Sequence, residues 1–236
     1  GGTASGKTTT INCLAMFIRP EAKIVTIEDT PELNLPHENW IQSVARIGFM
    51  SEGEITLFDL LKAAMRQRPD YIIVGEIRGE EAFTLFQAVS TGHAGLSSIH
   101  ADSVQAVINR LTSEPMNIPR TMLTSLDYIV LQAKMLREGR IVRRVTEVVE
   151  ITGFDSRTNE LLTNQVYTYD FPNDRHVYLG RSYKLEELAK RRGLSMDEVY
   201  AEIENRKLIL EWMVKNNIRK YSEVAQIVRS YYQRPE

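Results

Sequence analysis

Gly1-Gly2-Thr3-Ala4-Ser5-Gly6-Lys7-Thr8 has the spacing G-x-x-x-x-G-K-[ST] of a phosphate-binding P-loop. Glycines let backbone N–H groups curl around phosphate oxygens, and the helix N-terminus that follows adds positive potential. The Lys7 ammonium suits β- and γ-phosphates, and the Thr8 hydroxyl suits Mg²⁺. Gly2, Thr3, Ala4, Ser5, Gly6, Lys7, Thr8 and Thr9 are therefore the candidate phosphate-binding residues. A Gly-rich turn with a stray lysine is the competing reading. A loop of this kind hangs from the end of a buried strand. Its position at Gly1 predicts that the chain is a piece of a longer protein.

A P-loop alone does not separate kinases, GTPases and motor ATPases, but three later segments narrow the chemistry. Tyr71–Val74 runs into Gly75-Glu76. An acid at the carboxyl end of a buried strand faces the crevice where open α/β sheets bind ligands. An Asp there usually helps hold Mg²⁺; here Gly75 takes that place and Glu76 follows. The Glu76 carboxylate can polarise a water that attacks a terminal phosphate, or it can be a surface acid. Glu28-Asp29-Thr30-Pro31-Glu32 follows the β-rich run Lys23–Ile27 and offers further carboxylates for metal or water, or else a solvated acidic turn. Thr91-Gly92-His93 and His100-Ala101 bracket a third run, Gly95–Ile99. His100 can donate a hydrogen bond to a terminal phosphate, and either histidine can instead be structural. His37 and His176 have no supporting context and read as structural. Arg66, Arg68 and Arg78 place guanidinium groups near the same edge, for transition-state charge or for ion pairs.

The elements that must position these groups alternate in type. Ile11, Leu14, Ala15 and Ile18 mark one helix face, which Pro20 ends. Trp40–Ile47 reads as a second strand. Thr56 and Asp59 form a capping box ahead of Leu57, Leu60, Leu61, Ala64 and Met65. Tyr71–Val74 is continuously apolar, as a strand covered on both faces would be. Ala82, Leu85, Phe86 and Val89 form another helical face, and Asp102 is read as the cap of a helix carrying Val104, Val107, Ile108 and Leu111. This alternation predicts an α/β fold with a parallel sheet and helices on both faces.

The texture changes near residue 125. Asp127–Leu131 and Ile141–Ile151 read as strands joined across Arg137-Glu138-Gly139-Arg140, and Leu161–Tyr169 as a third antiparallel strand. From Lys184 the pattern is helical. A Ser195/Glu198 capping box precedes a face of Val199, Ile203, Leu210, Met213 and Val214, and Ser222 is read as the cap of Val224–Tyr232. The predicted divisions are a core over 1–136, an antiparallel β-extension over 137–182 and a helical subdomain over 183–236.

Composition sets the remaining bounds. The charged fraction is 25% with a net charge of −2, so no basic excess argues for nucleic acid. The 43% apolar content supports a core but includes no run long enough to span a bilayer. The single cysteine, Cys13, excludes an internal disulfide, fits a reducing intracellular setting and reads as core filler.

The four motifs in this order resemble the secretion-system ATPase family that powers type II secretion, type IV pili and archaella. Glu28–Glu32 looks like its Asp box, Arg68–Arg78 its atypical Gly-Glu Walker B segment, and Thr91–His93 through His100-Ala101 its His box. Glu28–Trp40 and the tail from Gly180 through Tyr232 look most like the archaeal branch of archaellum and pilus motors. Gly79 stands where relatives often have Asp, and the four-cysteine zinc knob of many bacterial members is absent. The resemblance implies a RecA-like P-loop core that hydrolyses ATP with Mg²⁺ held by Thr8 and Glu76. Glu76, Glu28 and His100 are the implied catalytic residues. It further implies a homo-hexameric ring at the inner face of the cell membrane, acting on a polytopic membrane platform protein. Rivals are a pilus-retraction or type IV secretion motor, a DNA-translocating ATPase, which would want a basic groove, and a nucleotide-gated module without turnover.

Overall fold

In the computed structural model, which describes residues 1–46 and 53–233, the short apolar runs of the first half become four parallel strands. These are β1 (Ile24–Glu28), β2 (Trp40–Val44), β3 (Tyr71–Val74) and β4 (Ala94–Ser97), in the order β2-β1-β3-β4. Their carboxyl ends share one edge, because Ile24, Trp40 and Tyr71 lie in register, as do Tyr71 and Ala94. The second strand stops at Val44 rather than at Ile47, which lies outside the described residues.

Both faces of this sheet are covered. Val25, Ile27, Ile72 and Val74 pack with α2 (Leu57–Met65), α3 (Glu81–Ser90) and α4 (Val104–Thr112), while Ile24 and Ile73 pack on the other face with Ile11, Ala15 and Ile18. Ile72, Ile73 and Val74 are wholly enclosed. Each such side chain contributes about 1.5–3 kcal/mol of burial, so β3 fixes the sheet on which the cleft stands. The α2 start carries the predicted capping box, with both Thr56 and Asp59 hydrogen bonds made.

Several local readings are corrected. On α1 (Lys7–Ala15), Leu14 and Cys13 point to solvent, so the cysteine is no core filler; Ile11 and Ala15 alone are buried in that helix. The α4 cap is Ser103, whose hydroxyl accepts the Ala106 N–H, and not Asp102 one position earlier.

A second, antiparallel sheet follows in the order β5-β6-β7-β8: β5 (Tyr128–Arg137), β6 (Arg140–Asp155), β7 (Glu160–Asp170) and β8 (Arg175–Tyr178). Its first strand begins at Tyr128, ahead of residue 137, and pairs with β6 from Tyr128 to Arg137. Glu138 and Gly139 both take left-handed φ (50° and 74°), the requirement of a tight two-residue hairpin turn. β8 has no counterpart among the predicted strands.

Three helices close the described chain: α5 (Tyr183–Arg192), α6 (Met196–Lys215) and α7 (Tyr221–Tyr232). The Ser195/Glu198 box is formed, but α7 begins at Tyr221 with Lys220 at its cap, so Ser222 lies inside the helix. Of the predicted α6 face, Val199 and Met213 are buried while Leu210 and Val214 are exposed, because the neighbouring helices cover only one stripe. The joint to the β-extension is a buried carboxylate. Glu150 on β6 accepts hydrogen bonds from the Ser182 hydroxyl, the Tyr183 and Lys184 N–H groups and the Asn164 amide.

Candidate phosphate-binding cleft

The loop before α1 is shaped by two left-handed residues, Ala4 (φ 54°) and Gly6 (φ 99°). Gly6 caps α1 in a conformation that glycine adopts without steric cost. Ser5 is buried and its hydroxyl donates to the Gly2 carbonyl at 2.8 Å, closing the loop from within. The Lys7 ammonium donates to the Gly1 and Gly2 carbonyls, both at 3.0 Å. No acidic residue sits in the first turn of α1, so its positive end is not neutralised locally.

This loop forms one wall of a cleft of about 940 Å³ at the carboxyl edge of the parallel sheet. Thr3, Ala4, Ser5, Gly6, Lys7, Thr8 and Thr9 line it, as do Glu28, Glu76 and His100. Gly2 does not line it, but its carbonyl accepts the hydrogen bonds of Ser5 and Lys7. Thus Lys7, Glu28, Glu76 and His100, drawn from four separate segments, face one space.

Each carboxylate has a defined setting. Glu28 ends β1 and is buried; its Oε1 accepts the Glu32 and Leu33 N–H groups at 2.9 Å each, and Gln42 approaches its Oε2 at 3.4 Å. Glu28 therefore shapes the loop that carries Asp29 and Thr30 along the cleft. Glu76 is more open. Its Oε2 accepts from Arg78 Nη2 at 2.6 Å and Nε at 3.1 Å, and Arg78 Nη1 lies 3.8 Å from Asp29 Oδ2. The Glu76 hydrogen bond and charge raise the Arg78 pKa above its ordinary value.

The glycine at the usual metal-binding place has a steric reason. A Cβ on Gly75 would stand 3.2 Å from Glu28 Cγ, so the Glu28 side chain from the adjacent strand occupies that space. Ser98 Oγ donates to the Gly75 carbonyl at 2.7 Å and ties β3 to the segment after β4.

The two histidines of the third segment part company. His93 precedes β4 and turns its Nδ1 to the Ala88 carbonyl at 3.1 Å, whereas His100 follows β4 at the cleft. They sit at opposite ends of one strand and cannot share a metal. Among the described residues no group of three or more His, Cys, Asp or Glu is placed to hold a metal ion. His37 bonds the Ile18 carbonyl and His176 the Val145 carbonyl, in keeping with structural roles. Arg66 and Arg68 precede β3 at the opposite edge from the cleft, so of the three arginines read from sequence only Arg78 reaches it.

Sequence reasoning missed Ser98, Arg110 and Arg143, which also line the cleft. Arg110 on α4 donates to the His100 carbonyl at 2.6 Å, and Arg143 on β6 donates to the Ala4 carbonyl at 2.8 Å. Neither lies in a motif. Only the tertiary fold brings them to the loop.

A parallel sheet covered on both faces, with a P-loop, Glu76 and His100 along its carboxyl edge, defines a RecA-like nucleotide-binding core of the kind seen in secretion ATPases. The chain belongs to the type II/IV secretion system protein family, which matches residues 1–227. It is 48% identical over 216 residues to the Methanocaldococcus jannaschii protein MJ1287, an alignment covering 91% of this chain and 80% of that one. The conjugal transfer protein TrbB of Rhizobium radiobacter is 33% identical over 183 residues, covering 75% of this chain and 53% of TrbB. Among solved structures, the VirB11 ATPase of the Brucella suis type IV secretion system, crystallised with sulphate, superposes with a TM-score of 0.54 at 30% identity over 63% of this chain and 46% of that one. The chain thus spans about half the length of TrbB and of VirB11. Among the described residues no helix is long and apolar enough to cross a membrane.

Proposed function

We propose that this chain is the ATP-hydrolysing part of a motor that drives secretion or the assembly or rotation of a pilus-like filament, archaellum included. The observation that carries the reading is the convergence of Lys7, Glu28, Glu76 and His100 on one cleft beside a P-loop. Family membership supports the motor class, and the similarity to MJ1287 supports an archaeal setting.

The residues divide the work by position. The loop N–H groups and Lys7 hold the β- and γ-phosphates of ATP, the Lys7 ammonium leaving the Gly1 and Gly2 carbonyls to do so. The Glu76 carboxylate orients the attacking water and accepts its proton, after exchanging its bonds to Arg78 for that water. Arg78, so released, faces negative charge that develops on the transferred phosphoryl group. His100 donates a hydrogen bond to the terminal phosphate, and Glu28 sets the loop that carries Asp29. The donor set fits Mg²⁺, which keeps several waters and takes few protein ligands; Thr8 and Glu76 are the side chains to hold it. When bound, that ion neutralises charge on the phosphate oxygens.

In this reading the chain works in a homo-hexameric ring at the cytoplasmic face of the membrane. It passes its stroke to a polytopic platform protein and needs no nucleic acid. The test is phosphate release by the full-length protein with and without Lys7→Ala. Release that stops in the variant, together with weakened ATP binding, supports the reading. Binding without release in the unmodified protein would instead favour a nucleotide-gated module, and release untouched by the substitution would refute the site.

A further inference from the structure

The cleft has a flank that neither the P-loop motif nor the strand-end carboxylates describe. The sheet order places its groups in sequence along the rim: Glu28 and Asp29 after β1, Glu76 and Arg78 after β3, Ser98 and His100 after β4, then the P-loop. Beyond the P-loop stands the antiparallel sheet. Gln132 on β5 is hydrogen-bonded to Thr10 of α1 at 3.2 Å, and its carbonyl abuts Gly1 so closely that any Cβ there would collide with it. The strand register shifts between Leu131 and Gln132, leaving Thr146 of β6 as the extra residue of a bulge. Bulges re-aim neighbouring side chains, and this one stands next to the two strands' contacts with the loop.

Arg143 is the charged member of that flank. Its Nε donates to the Ala4 carbonyl at 2.8 Å, and its Cδ lies 3.4 Å from where a Cβ of Gly6 would stand. The side chain is therefore laid across the loop itself. Its terminal nitrogens make no hydrogen bond or ion pair among the described residues, and the residue lines the cleft. The cleft's other arginines are engaged: Arg78 with Glu76, and Arg110 with the His100 carbonyl.

We propose that Arg143 is a nucleotide-binding residue. Its Nε fixes the P-loop through Ala4, and its terminal nitrogens bond phosphate oxygens on the ribose side of the chain, those common to a nucleoside diphosphate and triphosphate. The position dictates which phosphates. Glu76 and His100 follow β3 and β4, on the side where the Gly1 amine meets the Ile99 carbonyl, whereas Arg143 reaches Ala4 from the antiparallel sheet that meets Gly1 at Gln132. A guanidinium can hold one acceptor with Nε and present its remaining fork to an anion. The inference rests on the nucleotide reading above. It adds that the β-extension is part of the binding site, so the second sheet senses the nucleotide directly.

Fluorescent ADP and ATP titrations of the full-length protein, unmodified, Arg143→Gln and Arg143→Lys, provide the test. Loss of a charge-assisted hydrogen bond raises Kd by about ten- to a hundredfold. The expected result is such a rise in Arg143→Gln, by the same factor for ADP and ATP, with Arg143→Lys between it and the unmodified protein. The rise in melting temperature on adding ADP shrinks in parallel. Arg143 is exposed on its strand, and circular dichroism confirms that the variants are folded. If the unmodified protein binds ADP and Arg143→Gln binds it equally well, Arg143 is not a ligand. A loss confined to ATP overturns the phosphate assignment. No ADP or ATP binding by the unmodified protein overturns the nucleotide reading itself.

Discussion

Replacing Glu76 with Gln separates chemistry from fold in this cleft. Gln keeps the length of the side chain and one oxygen for Arg78 but removes the charge and the proton-accepting oxygen. The structural cost is small. The Glu76–Arg78 pair is 24% and 62% exposed at its two side chains, so solvent screens most of its attraction. Pairs of this kind contribute about 0–1 kcal/mol, and a chain of this size loses about 2–4 °C of melting temperature per kcal/mol. The catalytic cost is larger, because loss of a positioned base lowers turnover by about 10²–10⁴-fold, about 3–5 kcal/mol of barrier. Nucleotide affinity stays near its original value, since Lys7, Thr8 and the loop amides are untouched and the Gln side chain keeps an oxygen that can face Mg²⁺. Phosphate release under saturating ATP, fluorescent-nucleotide binding and a thermal melt together read all three quantities. Turnover that survives at close to the unmodified rate would remove Glu76 from the chemistry. A melting point lowered by more than about 10 °C would make it a structural residue instead.

Two further outcomes follow from the geometry. Glu28→Ala strands the buried Leu33 N–H, at about 1–3 kcal/mol for an unsatisfied buried donor, and frees the partly buried Glu32 N–H to water; denaturant unfolding should record that loss, whereas Glu28→Gln, which keeps an acceptor, should lose less. Asp174 is held well below the usual carboxylate range, first by the hydrogen bonds it accepts from Arg144 and then by the one it accepts from Tyr169. A depressed folded pKa stabilises above the unfolded value of about 4, and that contribution is lost as pH falls through the folded value. Melting temperature should therefore drop on acidification below about pH 4, and Asp174→Asn should make that acid limb shallower; an unchanged limb would show that the pair has no net weight.

What the sequence made legible was local or continuous. The P-loop spacing, the Thr56/Asp59 and Ser195/Glu198 capping boxes and the apolar run of β3 each depend on residues within a turn of one another or on a single strand. Periodicity named helices correctly but overstated what they bury: Leu14, Leu210 and Val214 carry the right spacing on faces that stay exposed among the described residues. The histidine pair illustrates a second limit. His93 and His100 flank one short strand, and only its parallel direction decides which of them reaches the cleft. Arg143 marks the third limit, since it meets Ala4 across 139 positions of chain. No spacing rule carries such a contact, and β6 around it reads as an ordinary β-branched strand.

The buried Glu150 joint has a consequence for how the helical tail can diverge. Apart from Ser182, the groups it takes from that segment are the main-chain amides of Tyr183 and Lys184, which any amino acid but proline provides. At this joint the attachment is nearly indifferent to the identity of the tail, while elsewhere side chains hold it, Lys184 Nζ to Asp127 at 2.7 Å and the Tyr232 hydroxyl to the Phe17 carbonyl at 2.6 Å. Grafting the corresponding helices from a relative onto this body should preserve the socket, provided a serine opens the graft, so new partners can be acquired at that end without rebuilding the engine.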